Sequence, residues 1–347
     1  MPEASSRGTS RAHRWRRTAL ATALFSPALL LAACSSSGSD GTPAGSSGAA
    51  AGGGPLHIGV LQIATADVVD DTVDSFEKHL MSALAPRQVS FDLKNAQGDQ
   101  SLIVSLARTF AESKDDGFAV IGTPAVIALA KQVTDRPIIA IAMGDPVGSK
   151  VAKSLDAPGT NVTGSIDYVD PAVLLAQIMK VSPAPKRLGT VYDPSNQNMQ
   201  VWVKALHAAA KAYPGLSIVE STLSGPADVP SAARSLVGRV DAELIGPDAT
   251  VFAGLAAVGA PAKSNKIPVY VSGGDATVSG ILASIGPDYP TVGKLAADAA
   301  VKVFTGTAAA AVPYGRPTGV VFAVNKATMT ALGITIPTDI LATATVQ

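Results

Sequence analysis

Cysteine is almost missing from this chain: Cys34 is the one cysteine among 347 residues. An internal disulfide and a multi-thiolate metal site are therefore both excluded. Histidine is nearly as scarce. His13, His57, His79 and His207 are far apart, and no HExxH pattern or other metal-ligand spacing occurs. There is no GxSxG nucleophile elbow, no phosphate-binding P-loop and no GxGxxG fingerprint; Ser272-Gly273-Gly274-Asp275 is the nearest approach to the last. No basic cluster suggests nucleic acid. Aromatic residues make up only 5% of the chain. Beyond the N-terminal region, no apolar run is long enough to span a membrane. A pair of carboxylates for hydrolysis is not excluded by composition, but nothing singles one out. The expectation is a protein that is not an enzyme, with no cofactor and no metal.

The N-terminal residues explain the one cysteine. Arg7, Arg11, Arg14, Arg16 and Arg17 form a positive segment, and Thr18 to Leu31 follows as an almost wholly apolar run of 14 residues. That length suits the core of a signal peptide better than a membrane span. The run closes on Leu31-Ala32-Ala33-Cys34, a pattern that resembles the lipobox of bacterial lipoproteins, in which the cysteine is lipidated and becomes the new N-terminus. Residues 1–33 are expected to be a removed signal peptide and Cys34 a lipid anchor. Removing 33 of the 347 residues leaves 314, and removing five Arg and one Glu leaves 22 basic and 26 acidic residues, a net charge of −4. Residues 34–54 are nearly all Ser, Gly and Ala. Such a segment buries too little apolar surface to offset its ordering entropy, so it reads as a tether with a reach of roughly 25 Å.

From Leu56 onward, apolar runs alternate with helical periodicity. Strand-like runs at 57–63, 89–93, 117–122 and 137–143 are separated by helical segments at 68–84, 101–114 and 125–133. The alternation restarts with a helix at 171–181. Strands follow at 187–192, 216–221, 242–245 and 267–271, and helices at 198–212, 229–237 and 251–264. Alternating strands and helices imply βαβ units and parallel sheets covered on both faces. Two such sets imply two lobes. The C-terminal part holds strand candidates at 282–285 and 319–324 around an Ala-rich helix at 290–305, and a chain that continues past two complete lobes is expected to cross back between them. The expected fold is α/β, with two doubly wound parallel-sheet lobes joined by hinge crossovers. Residues 55–164 with 275–305 are assigned to the first lobe, and 165–274 with 306–347 to the second.

In open parallel sheets, ligands bind beyond the carboxyl ends of the strands. The residues following each strand therefore supply the candidate ligand contacts. The first lobe offers Gln62, Gln97 and Thr123, and the second offers Ser195, Asn196, Asp248, Thr250 and Asp275. Helix N-termini after Thr123 and near Asn198 present free N–H groups suited to a carboxylate. Asp248 or Asp275 would suit an ammonium group. A zwitterion such as an amino acid satisfies both demands. The alternative for each residue taken singly is an ordinary turn or cap, and Trp202 is as readily a core residue as a stacking one.

Several ordered segments carry a family likeness: Asn95-Ala96-Gln97-Gly98-Asp99, Thr123-Pro124-Ala125, Asp145-Pro146-Val147-Gly148, Asn161-Val162-Thr163-Gly164, the run Ser235 to Ala242, and Lys266-Ile267-Pro268-Val269. Together, over Leu56 to Thr318, they resemble the tryptophan/tyrosine-type substrate-binding proteins of ABC transporters, which have the type I periplasmic-binding-protein fold. The resemblance implies two lobes closing on a small ligand, three crossovers, a membrane permease as partner and a monomer. It also implies ligand contacts near Ser195, Asn196 and Asp248. One departure stands out: Gly273 occupies a position where the family often carries an Asp. The function expected on this basis is a lipid-anchored, extracytoplasmic solute-binding protein of an ABC importer, capturing a small polar ligand such as an amino acid. A lipoprotein ligand sensor of the same fold and a secreted hydrolase are the alternatives.

Overall fold

The computed structural model describes residues 53–181 and 183–347. The expected signal peptide, Cys34 and nearly all of the expected tether lie outside the described residues.

The first sheet is built from β1 (Leu56–Gln62), β2 (Val89–Asn95), β3 (Gly117–Ile121), β4 (Ile138–Ile141) and β5 (Val162–Gly164), in the order β2-β1-β3-β4-β5, all parallel. Every residue of β3 and β4 is buried, as continuous apolar runs in a two-sided parallel sheet should be. Alternate residues feed two cores. Leu61, Phe118 and Val120 pack under α2 (Gln100–Ala111) and α3 (Thr123–Ala130). Ile58, Val60 and Ala119 pack under α1 (Asp67–Leu84) and the helix Tyr289–Phe304. The face that α1 buries is the periodic one, with Val69, Val73, Phe76, Leu80 and Leu84 inward. Asp99 caps α2, its Oδ1 accepting from the N–H groups of Ser101 (2.7 Å) and Leu102 (3.0 Å).

The second sheet contains β6 (Arg187–Tyr192), β7 (Ser217–Thr222), β8 (Ala242–Ile245), β9 (Val269–Val271), β10 (Ile281–Gly286), β11 (Val321–Val324) and β12 (Thr345–Val346), in the order β12-β11-β10-β9-β8-β6-β7. Only the β10–β11 pairing is antiparallel. Its helices are α4 (Pro171–Ile178), α5 (Gln197–Ala210), α6 (Val229–Leu236), α7 (Ala249–Phe252), α8 (Leu255–Ser264), α9 (Tyr289–Phe304, which returns to the first lobe), α10 (Lys326–Leu332) and α11 (Thr338–Leu341). The expected single helix over 251–264 is broken into α7 and α8 at Ala253-Gly254.

Three segments cross between the lobes. The first leaves β5 and reaches α4, the second runs from β10 into α9, and the third leads from Gly315 to β11. Two segments sit elsewhere than the sequence assigned them. β10 was expected in the first lobe but pairs with β9 and β11 in the second sheet. Residues up to Gly315, expected in the second lobe, remain on the first: Gly315 N–H donates to Gly164 O (2.7 Å), Tyr314 N–H to Leu155 O (2.8 Å), and Thr163 Oγ1 to Val312 O (2.7 Å). Hydrophobic alternation marks a strand but not the sheet that receives it. Among the described residues, no helix is long and apolar enough to cross a membrane.

Candidate functional site

The residues that follow the strands of one lobe face those of the other across a narrow cleft. Ile63 follows β1, and Val68, Val69 and Thr72 come from the first turns of α1. Gly122 and Thr123 begin α3. The opposite wall is made by Asn196 and Asn198 at the start of α5 and by Pro247, Ala249 and Phe252 beyond β8. Gly122 has φ +103°, and a Cβ there would stand 2.6 Å from Ile63 Cγ2, so only glycine lets α3 begin this close to β1. Ala142, also in the wall, takes φ +54°, a left-handed conformation uncommon for alanine.

Two side chains close the site between the walls. Asp167 comes from the first crossover and Tyr289 from the end of the second. Tyr289 Oη donates a 3.0 Å hydrogen bond to Asp167 Oδ2. Asp167 Oδ1 is buried without a partner. Burial pushes the Asp167 carboxyl up to about 7, although the Tyr289 hydrogen bond holds it down in part. Burial also raises Tyr289, as does the neighbouring carboxylate. Among the described residues lining the cleft, Asp167 is the sole carboxylate, and no Lys or Arg is present. The positive side of the site comes instead from backbone: the N-termini of α3 and α5 both open onto the cleft, where the helix dipole favours an anion, although Pro124 has no N–H and Asn196 Oδ1 takes that of Asn198.

Of the residues expected from sequence, the structure brings Thr123 and Asn196 to the cleft. Asn196 also caps α5, its Oδ1 accepting from Asn198 N–H at 3.1 Å. Gln62 is buried beside the site, with Nε2 donating to Ala64 O (2.9 Å) and to Asp70, so it braces the loop after β1. Gln97 is exposed on a turn at φ +54°. Ser195 is exposed, with its N–H donating to Asp193 Oδ1 at 2.8 Å. Asp248 is fully buried, but both oxygens are taken: Oδ2 accepts from Asp193 N–H (2.8 Å) and Oδ1 from Thr250 N–H (3.0 Å). Burial nevertheless raises it to about 6. Thr250 is buried behind that cap. Asp275 lies in a separate acidic groove with Asp67, Asp71 and Asp288, which meets the cleft at Val68 and Tyr289, and there it binds Thr277. Among the described carboxylates, only Asp167 lines the cleft, and sequence reasoning missed it together with Phe252 and Tyr289. Asp167 follows Asn161-Val162-Thr163-Gly164 by three residues, and that proximity was the one available signal. Trp202 is fully buried in the second lobe's core.

The family model of the ABC transporter substrate binding proteins matches residues 57–347. The chain belongs to this family. It is similar to a tyrosine-binding protein of Clostridioides difficile (strain R20291), with 31% identity over 282 residues that span 80% of each chain. It is also similar to the structure of an ABC domain in complex with L-Trp from Streptococcus pneumonia, at 29% identity and TM-score 0.79, covering 84% of this chain and 100% of the other. A third relative is the ligand-free, open structure of a Clostridium difficile substrate-binding protein with adhesive properties. It shares 30% identity and covers 84% of this chain and 99% of the other, but its TM-score is 0.61. At similar identity, the whole-chain likeness of this substrate-binding protein is greater to the L-Trp complex than to the open form. The fold is that of the type I periplasmic binding proteins.

Proposed function

We propose that the chain is the solute receptor of an ABC importer, that its ligand is an amino acid with a large apolar or aromatic side chain, and that it delivers this ligand to a membrane permease. The observation that carries this reading is Asp167, a buried carboxylate with one unpartnered oxygen in a cleft that contains no basic side chain. An ammonium group answers that oxygen. The ligand carboxylate is held by the N–H groups at the starts of α3 and α5, and the side chain lies among Ile63, Val68, Ile121 and Phe252. The names of the tyrosine-binding relative and of the L-Trp complex support an aromatic amino acid as the ligand. Among the described residues lining the cleft, no nucleophile is paired with a base, which supports binding without turnover. The protein works as a monomer, as the family resemblance implies, held at the outer face of the cell membrane by lipid on Cys34; the anchor rests on the lipobox-like Leu31-Ala32-Ala33-Cys34 alone.

The test is a thermal-shift screen of the chain from Cys34 onward against the twenty amino acids. A ligand at 100 times its Kd stabilises by about 2.7 kcal/mol, a shift of several degrees. Shifts confined to tyrosine, tryptophan or phenylalanine support the reading. A flat response to all twenty sinks the amino-acid assignment.

A further inference from the structure

Two glycines of the first lobe touch the second lobe where the cleft shuts. Gly144 follows β4, and a Cβ built on it would stand 1.7 Å from Asn198 Oδ1 and 2.5 Å from Asn198 Cγ, across the cleft on α5. Gly98 follows β2, and its Cβ would stand 2.5 Å from Pro226 Cγ and 3.8 Å from Thr250 Cγ2. At both points the observed spacing of the lobes exists because no side chain intervenes. Asn198 has little freedom to give way. Its side chain is buried, Nδ2 donates to Pro247 O at 3.3 Å, and Oδ1 has no hydrogen-bond partner. Reversing the amide would set Oδ1 against that carbonyl oxygen. The unpartnered Oδ1 rests instead against Gly144, on the side where a Cβ would project. Gly98 has φ +75°, so any substitution there also strains the backbone. Gly144 is not among the residues with positive φ, so alanine at 144 would act by bulk alone.

We infer that Gly144 and Asn198 form the closure latch of the cleft, with Gly144 a positioning residue that sets how far the lobes shut, and hence how tightly ligand is held, without touching the ligand. The inference rests on the solute-binding reading above. Apparent affinity scales with the fraction of protein able to reach the binding-competent state, so a residue that blocks closure weakens binding in proportion. An oxygen needs roughly 3.3 Å from a carbon, so a methyl group at 144 forces the walls apart unless Asn198 is shortened as well.

The experiment compares wild type, Gly144→Ala and Gly144→Ala/Asn198→Ala, each as the chain from Cys34 onward. Small-angle X-ray scattering is recorded with and without saturating L-tyrosine and L-tryptophan, calorimetry gives Kd, and circular dichroism confirms that each variant is folded. The expected result is that Gly144→Ala stays expanded with ligand and binds at least tenfold more weakly, while the double variant compacts again because the clash has gone. Compaction and affinity of Gly144→Ala equal to wild type overturn the latch, as does a double variant that remains expanded. If wild type binds neither amino acid, the ligand reading fails separately, and the latch is then read from the ligand-free chains. In that case Gly144→Ala must be more expanded than wild type, and equal scattering overturns it.

Discussion

Tyr289 Oη donates a 3.0 Å hydrogen bond to Asp167 Oδ2, joining two residues 122 positions apart on two different crossovers between the lobes. The bond has two effects. It satisfies one oxygen of a buried carboxylate, and it fixes the direction of the other. It also ties the polar centre of the cleft to the segments that must bend when the lobes move. The ring of Tyr289 leans on the second lobe as well: a Cβ at Gly273 would stand 2.4 Å from Tyr289 Cε2. The space beside residue 273, where the family resemblance leads one to expect an Asp, is filled by that ring, and the site's carboxylate comes from Asp167 instead.

Asp167→Asn keeps the size of the side chain and an acceptor for Tyr289 but removes the charge. Truncating one partner of a buried charge pair typically costs 2–5 kcal/mol, so affinity for an amino acid should fall by roughly 30-fold or more in calorimetry. The ligand-free variant should melt at or above the wild-type temperature, because an unpaired buried carboxylate is itself unfavourable. Unchanged affinity would remove Asp167 from the ammonium site.

Stability and affinity should respond to pH in opposite senses. Burial raises Asp248 to about 6, Asp167 to about 7 and Glu243 to about 8. Each folded value lies above the unfolded one, so the folded protein holds more protons over this range. The stabilising effect is complete at low pH and is lost as pH rises through 6–8. The groups with lowered values, Asp241 beside Arg187 and Glu220 beside Tyr192, lose their contribution only below about pH 4. The ligand-free melting temperature should therefore fall between pH 5 and pH 9, and Glu243→Gln should flatten the upper part of that slope. An ammonium ligand needs Asp167 ionised, so affinity should weaken as pH falls below about 7. Melting temperatures that rise over the same interval would show that these carboxyls are solvated in solution.

Much of the fold was legible because burial on both sides of a parallel sheet leaves a plain mark. β1, β3 and β4 are nearly unbroken apolar runs, and α1 shows its inward stripe at Val69, Val73, Phe76, Leu80 and Leu84. Thr123 and Asn196 were found because they follow strands, which is where such folds bind ligand. Asp248 follows a strand too, but its oxygens are consumed by the N–H groups of Asp193 and Thr250, a competition visible only in three dimensions. Asp275 follows a strand and faces the neighbouring groove. Asp167 belongs to a crossover with no periodicity, and its importance arises from meeting Tyr289 across 122 residues. The sequence reads as a strand at β10, while its sheet is decided by pairing with β9 and with Val321–Val324, later in the chain.

Two large aromatics of the second lobe, Phe252 and Trp202, should separate cleanly by substitution. Phe252 lines the cleft and is 8% exposed, whereas Trp202 is fully buried, with its ring against the backbone of Gly246. A Cβ at Gly246 would stand 2.8 Å from Trp202 Cε3, so the indole is wedged beneath the loop after β8 rather than offered to the cleft. Phe252→Leu preserves apolar volume and removes the ring. Aromatic pairs contribute about 0.5–1.5 kcal/mol beyond area, so affinity for an aromatic amino acid should fall by roughly 2- to 12-fold. Its stability loss should stay below about 1.5 kcal/mol in urea denaturation. Trp202→Ala opens a cavity in the core and should cost about 3–5 kcal/mol of stability. Below its lowered melting temperature, it should bind ligand with affinity close to wild type, since only its packing beneath Gly246 is at stake. A Trp202→Ala variant that is stably folded at the assay temperature, yet loses more affinity than Phe252→Leu, would place the stacking surface on the wrong side of β8.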